Sequence, residues 1–276
     1  MGGRVLCMGD CKMGNQCLLR LATYNIWNNE EQCKREKQIL QEIHLTEAHV
    51  VGLQEVTDTF YENVLAKDKI YPYSCFYTYA GEREGLAILS KFPICEENFL
   101  NRNEKYAYSN ALNIIVTINN IKISITNVHL PWDSVKKQEE QIVAIDEYIH
   151  AQQYVDFYVL LGDFNGNMNS SVNRYLLGDQ TINGHESNLY WNDLQSGYCV
   201  RKGIALLPTL DFINNLRFAG KETIAVPMVV DRIYVMESWD DVDMNELSIF
   251  GTEVYPDIEM SASDHYGIVV ELEFAK

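Results

Sequence analysis

An apolar run, Phe157 to Leu161, leads straight into Gly162-Asp163-Phe164-Asn165, and Ser263-Asp264-His265 stands just before the last apolar run of the chain. Carboxylates, an amide and an imidazole set at the edges of apolar strands demand a fold that gathers strand ends on one rim. They also narrow the chemistry. Hard oxygen donors beside an imidazole suit a divalent cation and a phosphate at a water-activating site.

The rest of the chain reads as short β-branched and aromatic runs separated by polar turns. Leu18 to Tyr24 and Val50 to Val56 are expected strands, with an amphipathic helix over Gln32 to Ile43 between them and another helix after Asp58. Tyr73 to Tyr79, Gly85 to Lys91, Ile94 to Leu100, Asn110 to Ile118 and Lys122 to Leu130 follow one another without intervening helices, which predicts antiparallel hairpins. Asn119-Asn120 suits a tight turn because Asn tolerates positive φ. Ser134 to Gln152 reads as a long helix with Ser134 at its N-cap. Phe157 to Leu161, Val229 to Val235 and Tyr266 to Phe274 are further strands, whereas residues 178–228 are irregular. This pattern describes an α/β chain of two mixed, mostly antiparallel sheets packed face to face and flanked by helices. Residues 1–17, rich in Gly, Met and Cys, read as a loose tail, and residues 18–276 as a single domain long enough for one large core.

With 22 basic and 39 acidic residues, the chain carries a formal charge of −17. A field of that sign repels polyanions. Duplex DNA carries a charge every ~1.7 Å and is gripped through several Lys and Arg side chains. Here the basic residues come in pairs such as Lys34-Arg35, Lys136-Lys137 and Arg201-Lys202, which read as solvated faces and disfavour extended nucleic acid as a partner. Cysteines at positions 7, 11, 17, 33, 75, 95 and 199 form no disulfide framework and fit a reducing cytoplasm. Cys7, Cys11 and Cys17 lack both a paired C-x-x-C and a fourth ligand for zinc. The start of the chain has neither a signal-peptide core nor the Ser or Thr that N-myristoylation requires, and no apolar run approaches a membrane span.

Polar chemistry recurs at strand edges in Tyr24-Asn25-Ile26-Trp27, Gln54-Glu55-Val56, Asn127-Val128-His129-Leu130, Gly162-Asp163-Phe164-Asn165, Val230-Asp231-Arg232-Ile233 and Ser263-Asp264-His265, each read at the C-terminal end of a strand. Any one of these is explained by a capped turn or a hydrogen-bonded structural histidine. Their complementary chemistry is not explained by independent turns. With Gly85-Leu86-Ala87-Ile88-Leu89-Ser90 and Phe92-Pro93, the set resembles the endonuclease/exonuclease/phosphatase superfamily over nearly all of residues 18–276. The resemblance implies a four-layered α/β sandwich with its site at one rim. It also implies Mg2+-dependent phosphoester hydrolysis, Mn2+ substituting, by attack of water on phosphorus.

Through that resemblance, Glu55 is the first metal ligand, with Asn25 and Asp264 beside it or acting through water. Asp163 orients or deprotonates the attacking water and Asn165 holds a phosphate oxygen. His265 sits against the phosphate in a tautomer fixed by Asp231, and His129 hydrogen-bonds a phosphate oxygen or assists the leaving group. Electrostatics supports a cation among these groups, since two carboxylates about 4 Å apart repel by roughly 4 kcal/mol at an effective dielectric of 20. Oxygen ligands without thiolates favour Mg2+ or Mn2+ over zinc.

Thr209-Leu210-Asp211, Asn214-Asn215 and Leu247 to Phe250-Gly251 are similar to the tyrosyl-DNA phosphodiesterase branch, from which Leu210 and Pro131-Trp132-Asp133 depart. Trp27, Trp132, Tyr79 and Trp191 are candidates for a substrate wall, and Arg83 and Asp211 for substrate contacts. Against this, aromatics at strand ends often complete a core, and Arg83 stands between Glu82 and Glu84, where an ion pair is natural. Three functions follow. The first is hydrolysis of a compact or end-located phosphoester, such as a sugar phosphate, a nucleotide or a phosphotyrosyl terminus. The second is a nuclease on DNA or RNA, and the third an inactive module that binds a phosphorylated partner. The acidic charge favours the first over the second, and the intact set of polar residues speaks against the third.

Overall fold

The computed structural model describes residues 16–28, 34–102, 109–187, 191–220, 224–236 and 241–276. In chain order the elements are β1 (Gln16–Asn25), α1 (Glu36–Leu45), β2 (Val50–Thr57), α2 (Asp58–Asn63), β3 (Tyr73–Thr78), β4 (Glu84–Ser90), β5 (Ile94–Phe99), β6 (Ala111–Ile118) and β7 (Ile121–His129). These are followed by α3 (Val135–His150), β8 (Phe157–Asp163), α4 (Ser171–Leu176), β9 (Trp191–Asp193), α5 (Leu194–Lys202), β10 (Asp231–Met236), β11 (Val242–Phe250) and β12 (Gly267–Ala275). They form two six-stranded sheets, ordered β11-β12-β1-β2-β4-β3 and β5-β6-β7-β8-β10-β9. Among the described residues only β1 with β2 and β7 with β8 pair in parallel, and each pair is joined across a helix, α1 or α3.

Alternating side chains turn one face of each sheet into a shared core. Leu19, Leu21, Leu86 and Ile88 from the first sheet join Ile114, Ile123, Val159 and Leu161 from the second, all fully buried. Each such side chain contributes about 1.5–3 kcal/mol through its removal from water. The outer faces are covered by helices. Ile39 and Ile43 of α1 pack on Ala22, Val51 and Leu89, and Ile142, Ile145 and Ile149 of α3 pack with Val128 and Leu160. The stacking of helix, sheet, sheet and helix is the expected four-layered α/β sandwich.

The hairpins, the Asn119-Asn120 turn with φ of 50° and 66°, and the Ser134 cap on α3 all appear, the Ser134 hydroxyl accepting from Lys137 N at 3.3 Å. Several expectations need correction. Residues 178–228 hold β9, α5 and a short 3-10 turn at Leu216–Phe218. The strand β11 gave no signal because its apolar residues Val242, Met244, Leu247 and Ile249 fall out of a single alternation at the register shift between Met244 and Glu246. The first strand begins at Gln16, so Cys17 is a buried strand residue and not part of a tail. The rest of the expected tail, with Cys7 and Cys11, lies outside the described residues, as does the start of the helix expected from Gln32.

A polar bridge ties the two sheets together just below the rim. Between Leu53 and Val56 the pairing of β2 with β4 slips by one residue, a bulge that disrupts the ladder. Asn127, fully buried on β7 of the opposite sheet, donates its Nδ2 to Leu53 O at 2.9 Å and to Ala87 O at 3.0 Å. Its Oδ1 accepts from Gln54 Nε2 at 2.6 Å. Replacing Asn127 with Ala strands these groups without water. We expect a loss of about 2–4 kcal/mol in urea unfolding, and a loss below ~1 kcal/mol would show that the bulge holds without the bridge.

Candidate active site

Strand register alone places three of the expected residues side by side. His129 at the end of β7 pairs with Asp163 of β8, and Asp163 pairs with Asp231 of β10. Residue 162 has to be Gly for this approach. Its φ is +140°, and a Cβ there would stand 2.0 Å from Val128 O. In the other sheet Asn25 pairs with Gln54, and the loop entering β12 delivers Asp264 and His265 to the same rim. Because β10 and β12 run antiparallel to β8 and β1, Asp231, Asp264 and His265 stand at the N-terminal ends of their strands, and the expected C-terminal placement is corrected for these three.

The bulge in β2 leaves Glu55 with a φ of +58°, a conformation that costs a non-glycine residue of order 1–3 kcal/mol. The side chain it aims is held firmly. Asn25 Nδ2 donates to Glu55 Oε1 at 2.9 Å, and Asn28 N donates to Oε2 at 2.9 Å. The same Asn25 Nδ2 donates to Asp163 Oδ2 at 2.9 Å, while Asn25 Oδ1 accepts from Trp27 N at 2.9 Å. Asn25 is therefore a bridge between two carboxylates, and Asn28 Nδ2 extends the chain by donating to Glu84.

Two histidines approach Asp163 from the two sheets. His129 Nε2 is 3.8 Å from Asp163 Oδ2 and 3.8 Å from Glu55 Oε1, and His265 Nε2 is 3.9 Å from Asp163 Oδ2. These gaps are too long for direct hydrogen bonds, yet an oxygen atom placed between the groups reaches both. His265 Nδ1 is bonded to Asp231 Oδ2 at 2.9 Å. Burial disfavours the imidazolium, but the charge and hydrogen bond of Asp231, with Asp163 and Asp264 adding, hold His265 well above its ordinary pKa. His129 Nδ1 is bonded to the hydroxyl of Tyr79 at 2.9 Å.

The segment 209–215 clamps this arrangement. Thr209 Oγ1 accepts from Val230 N and Asp231 N, both at 3.1 Å, and its carbonyl accepts from Tyr266 N at 2.7 Å. Asn215 Nδ2 donates to Ser263 O and Asp264 O, both at 3.0 Å, and Ser263 Oγ donates to Asn25 O at 2.8 Å. Asn28 and Glu84 are site contacts that sequence reasoning missed, and Tyr79, read there as a candidate for the substrate wall, has the further contact of its hydroxyl with His129. Asn28 and Glu84 stand next to recognised motifs, but no period or spacing singles them out.

The other candidates are distributed differently. Asn165, at φ +46°, donates its backbone N to Asp163 Oδ1 at 2.8 Å and its Nδ2 to Leu130 O at 2.9 Å, so its amide nitrogen is committed to the rim. The guanidinium carbons of Arg35 and Arg217 stand 5.0 Å and 4.9 Å from the ring centre of Trp27. Arg83 is paired with Asp58 at 3.3 Å rather than with its neighbouring glutamates. Asp211 accepts from Ile213 N, Asn214 N and Asn214 Nδ2, which makes it the organiser of its own turn. Trp191 is buried and donates to Asp146 Oδ1 at 2.9 Å, a core role. Trp132 is 81% exposed and lines, with Tyr79, Glu82, Glu84, His129 and Glu140, a cleft of about 950 Å³.

The donor set fits a hard divalent ion. Asp163, Asp231 and His265 are all buried with side-chain atoms within 4.8 Å of one another, but Asp231 and His265 are bonded to each other and a protonated His265 has no lone pair to give a metal, which leaves the carboxylates as the donors. Glu55 and Asp264 are near enough for charge to matter. Burial and the Glu55 charge raise the Asp264 pKa despite the opposing influence of His265 and Arg35. A cation bound at these carboxylates would relieve that cost.

Comparison with known proteins agrees with this architecture. The D. rerio TDP2 humanized by 14 mutations superposes with a TM-score of 0.71 at 17% identity, covering 92% of this chain and 98% of its own. C. elegans TDP2 gives 0.68 at 18% identity, covering 94% and 75%. ANGEL2, described as a 2′,3′-cyclic phosphatase, gives 0.67 at 15% identity, covering 94% and 96%. No match was found among curated protein sequences. Residues 22–265 match the Endonuclease/Exonuclease/phosphatase family, and the chain belongs to it.

Proposed function

We propose that the protein is a Mg2+-dependent hydrolase of compact or end-located phosphoesters, its chemistry carried by a single domain over residues 18–276. The observation behind this reading is the position of Asp163 Oδ2. One carboxylate oxygen lies 3.8 Å and 3.9 Å from two imidazole nitrogens and 2.9 Å from an amide donor, with spaces that an attacking water and a phosphoryl oxygen would occupy. Asp163 takes the proton of the water. His265, held positive by Asp231, faces the phosphoryl oxygens and stabilises the charge that develops on them. Glu55, with Asp264, would hold Mg2+, which supplies charge neutralisation and polarises a phosphoryl oxygen. Asn25 keeps the metal-facing and water-facing carboxylates apart.

The choice of a compact or terminal phosphoester draws on the acidic cleft. It opens beside His129 and carries Glu82, Glu84, Asp133 and Glu140 against Lys137, which disfavours a second phosphate there. Structurally similar proteins include a D. rerio TDP2 solved with a single-strand DNA product and the 2′,3′-cyclic phosphatase ANGEL2, and both descriptions support a phosphate near a nucleic-acid terminus as one such substrate. Cys17, Cys75, Cys95 and Cys199 are free, which supports a reducing, cytoplasmic setting. Among the described residues no helix is long and apolar enough to cross a membrane.

Hydrolysis of bis(p-nitrophenyl) phosphate and p-nitrophenyl phosphate in Mg2+ tests the reading. Asp163→Asn should retain the fold and lose roughly 10²–10⁴-fold in turnover, and near-normal turnover would remove Asp163 from the mechanism. Silence of the wild type on both esters, in Mn2+ as well, would favour the inactive binding module. A steep loss of nucleic-acid cleavage with salt would favour the nuclease. The Asp231–His265 pair has a further signature. A histidine whose folded pKa is raised contributes stability fully present below its unfolded pKa of about 6.5 and lost as pH rises through the folded value. The Tm difference between wild type and His265→Gln should therefore be greatest near pH ~6 and shrink as pH rises through the folded value. A difference that grows with pH would contradict the imidazolium assignment.

A further inference from the structure

We infer that Tyr79 is a positioning residue that fixes the tautomer of His129, holding the neutral ring with its proton on Nε2, so that His129 donates a hydrogen bond to a substrate oxygen and does not hand over a proton. The inference rests on the hydrolase reading for its substrate oxygen, but its structural half stands on the resting protein.

The hydroxyl of Tyr79 lies 2.9 Å from His129 Nδ1, and among the described residues this is its hydrogen-bonding partner. A phenol has one proton and can also accept, whereas a neutral imidazole nitrogen either donates or accepts. Tyr79 is 7% exposed. If Nδ1 carried the proton, the phenolic proton would be left buried without an acceptor, at a cost of about 1–3 kcal/mol. The O–H of Tyr79 therefore donates to Nδ1. Burial, with the charges of Glu55, Glu84 and Asp163 adding, keeps the phenol protonated and able to do so.

The other side of the ring agrees. With Nδ1 as acceptor the proton resides on Nε2, which faces Glu55 Oε1 and Asp163 Oδ2 at 3.8 Å each. Two carboxylate oxygens favour an N–H there and oppose a lone pair. An oxygen arriving between them meets a donor already oriented, with the phenol and the tilted Tyr79 ring, centroids 5.8 Å apart, fixing the plane. A neutral imidazole that released this proton would become an imidazolate, so the group stabilises charge without transferring the proton. The contrast with His265 is chemical: that ring has a carboxylate, a pure acceptor, on Nδ1, while His129 has on Nδ1 a phenol with a proton to donate. Glu84, an alternative anchor on the same cleft, accepts from Asn28 Nδ2.

Long-range 15N–1H correlation spectra of 15N-histidine-labelled protein, with His129 assigned by its loss in His129→Gln, read the tautomer without substrate or metal. The wild type should show His129 protonated at Nε2. Tyr79→Phe should let both tautomers populate and lower kcat roughly tenfold with KM little changed, while Glu84→Gln leaves the His129 pattern in place. A wild-type ring protonated at Nδ1, or a Tyr79→Phe spectrum identical to wild type, would overturn the inference. Should Tyr79→Phe fail to fold, the wild-type spectrum alone decides. Because the spectra need no turnover, an inactive protein would count against the hydrolase reading and leave the tautomer result standing.

Discussion

Both rims of the site depend on the amide of Asn127. A bulge in a central strand aims Glu55 out of the first sheet, but it also interrupts the ladder in a region where no water can complete it. Asn127 reaches across from the second sheet, satisfies the carbonyls of Leu53 and Ala87, and receives Gln54 in return. Two residues farther along the same strand stands His129. The contact that makes the bulge tolerable thus also sets the separation between Glu55, carried by one sheet, and His129 and Asp163, carried by the other. Close packing nearby is tuned to match: a Cβ on Gly52 would meet Leu161 Cδ1 at 2.3 Å. A shift of the sheets by even a fraction of an ångström at this level would be felt at every distance across the candidate site above it.

With that frame fixed, the rim arranges negative charge by alternation. Glu84, Asn28, Glu55, Asn25 and Asp163 form a chain in which donors stand between carboxylates, and Asp163, His265 and Asp231 continue it. Each donor lowers the cost of holding like charges close together in a buried setting. The same alternation creates functional asymmetry. A carboxylate stands behind Nδ1 of His265 and a phenol behind Nδ1 of His129, although both rings point their Nε2 atoms at one oxygen of Asp163.

Much of this was legible in the sequence where local chemistry and tertiary role coincide. The runs around Leu21, Ile88, Ile125 and Leu161 announce buried strands, and the polar residues at their ends announce a rim. Asn119-Asn120 and Ser134 act through their own backbone neighbours, so their roles needed no knowledge of the fold. What stayed hidden depends on distant partners. Tyr79 and Trp191 are both aromatic residues beside strands, and only the fold sends one to His129 and the other to Asp146 in the core. Arg83 is flanked by glutamates yet pairs with Asp58, because the turn before β4 brings it back over the start of α2. The strand β11 escaped notice because the register shift between Met244 and Glu246 breaks its apolar alternation into two short halves.

A net charge of −17 and a phosphate substrate are compatible once the distances over which each acts are separated. At physiological salt the field of the whole protein is screened within about 8–10 Å, so it governs long-range encounter and not the fit of a single phosphate in the site. Inside the rim the balance is local, with the His265 imidazolium, the amide of Asn25 and the proposed Mg2+ set against Glu55, Asp163 and Asp264. Outside it the cleft walls are again acidic through Glu82, Glu84 and Glu140. On the proposed reading one phosphate sits at the rim, and a second phosphate along the cleft would meet carboxylates. That arrangement supports the proposed preference for a phosphate at an end, or alone on a small molecule, through repulsion of anything longer.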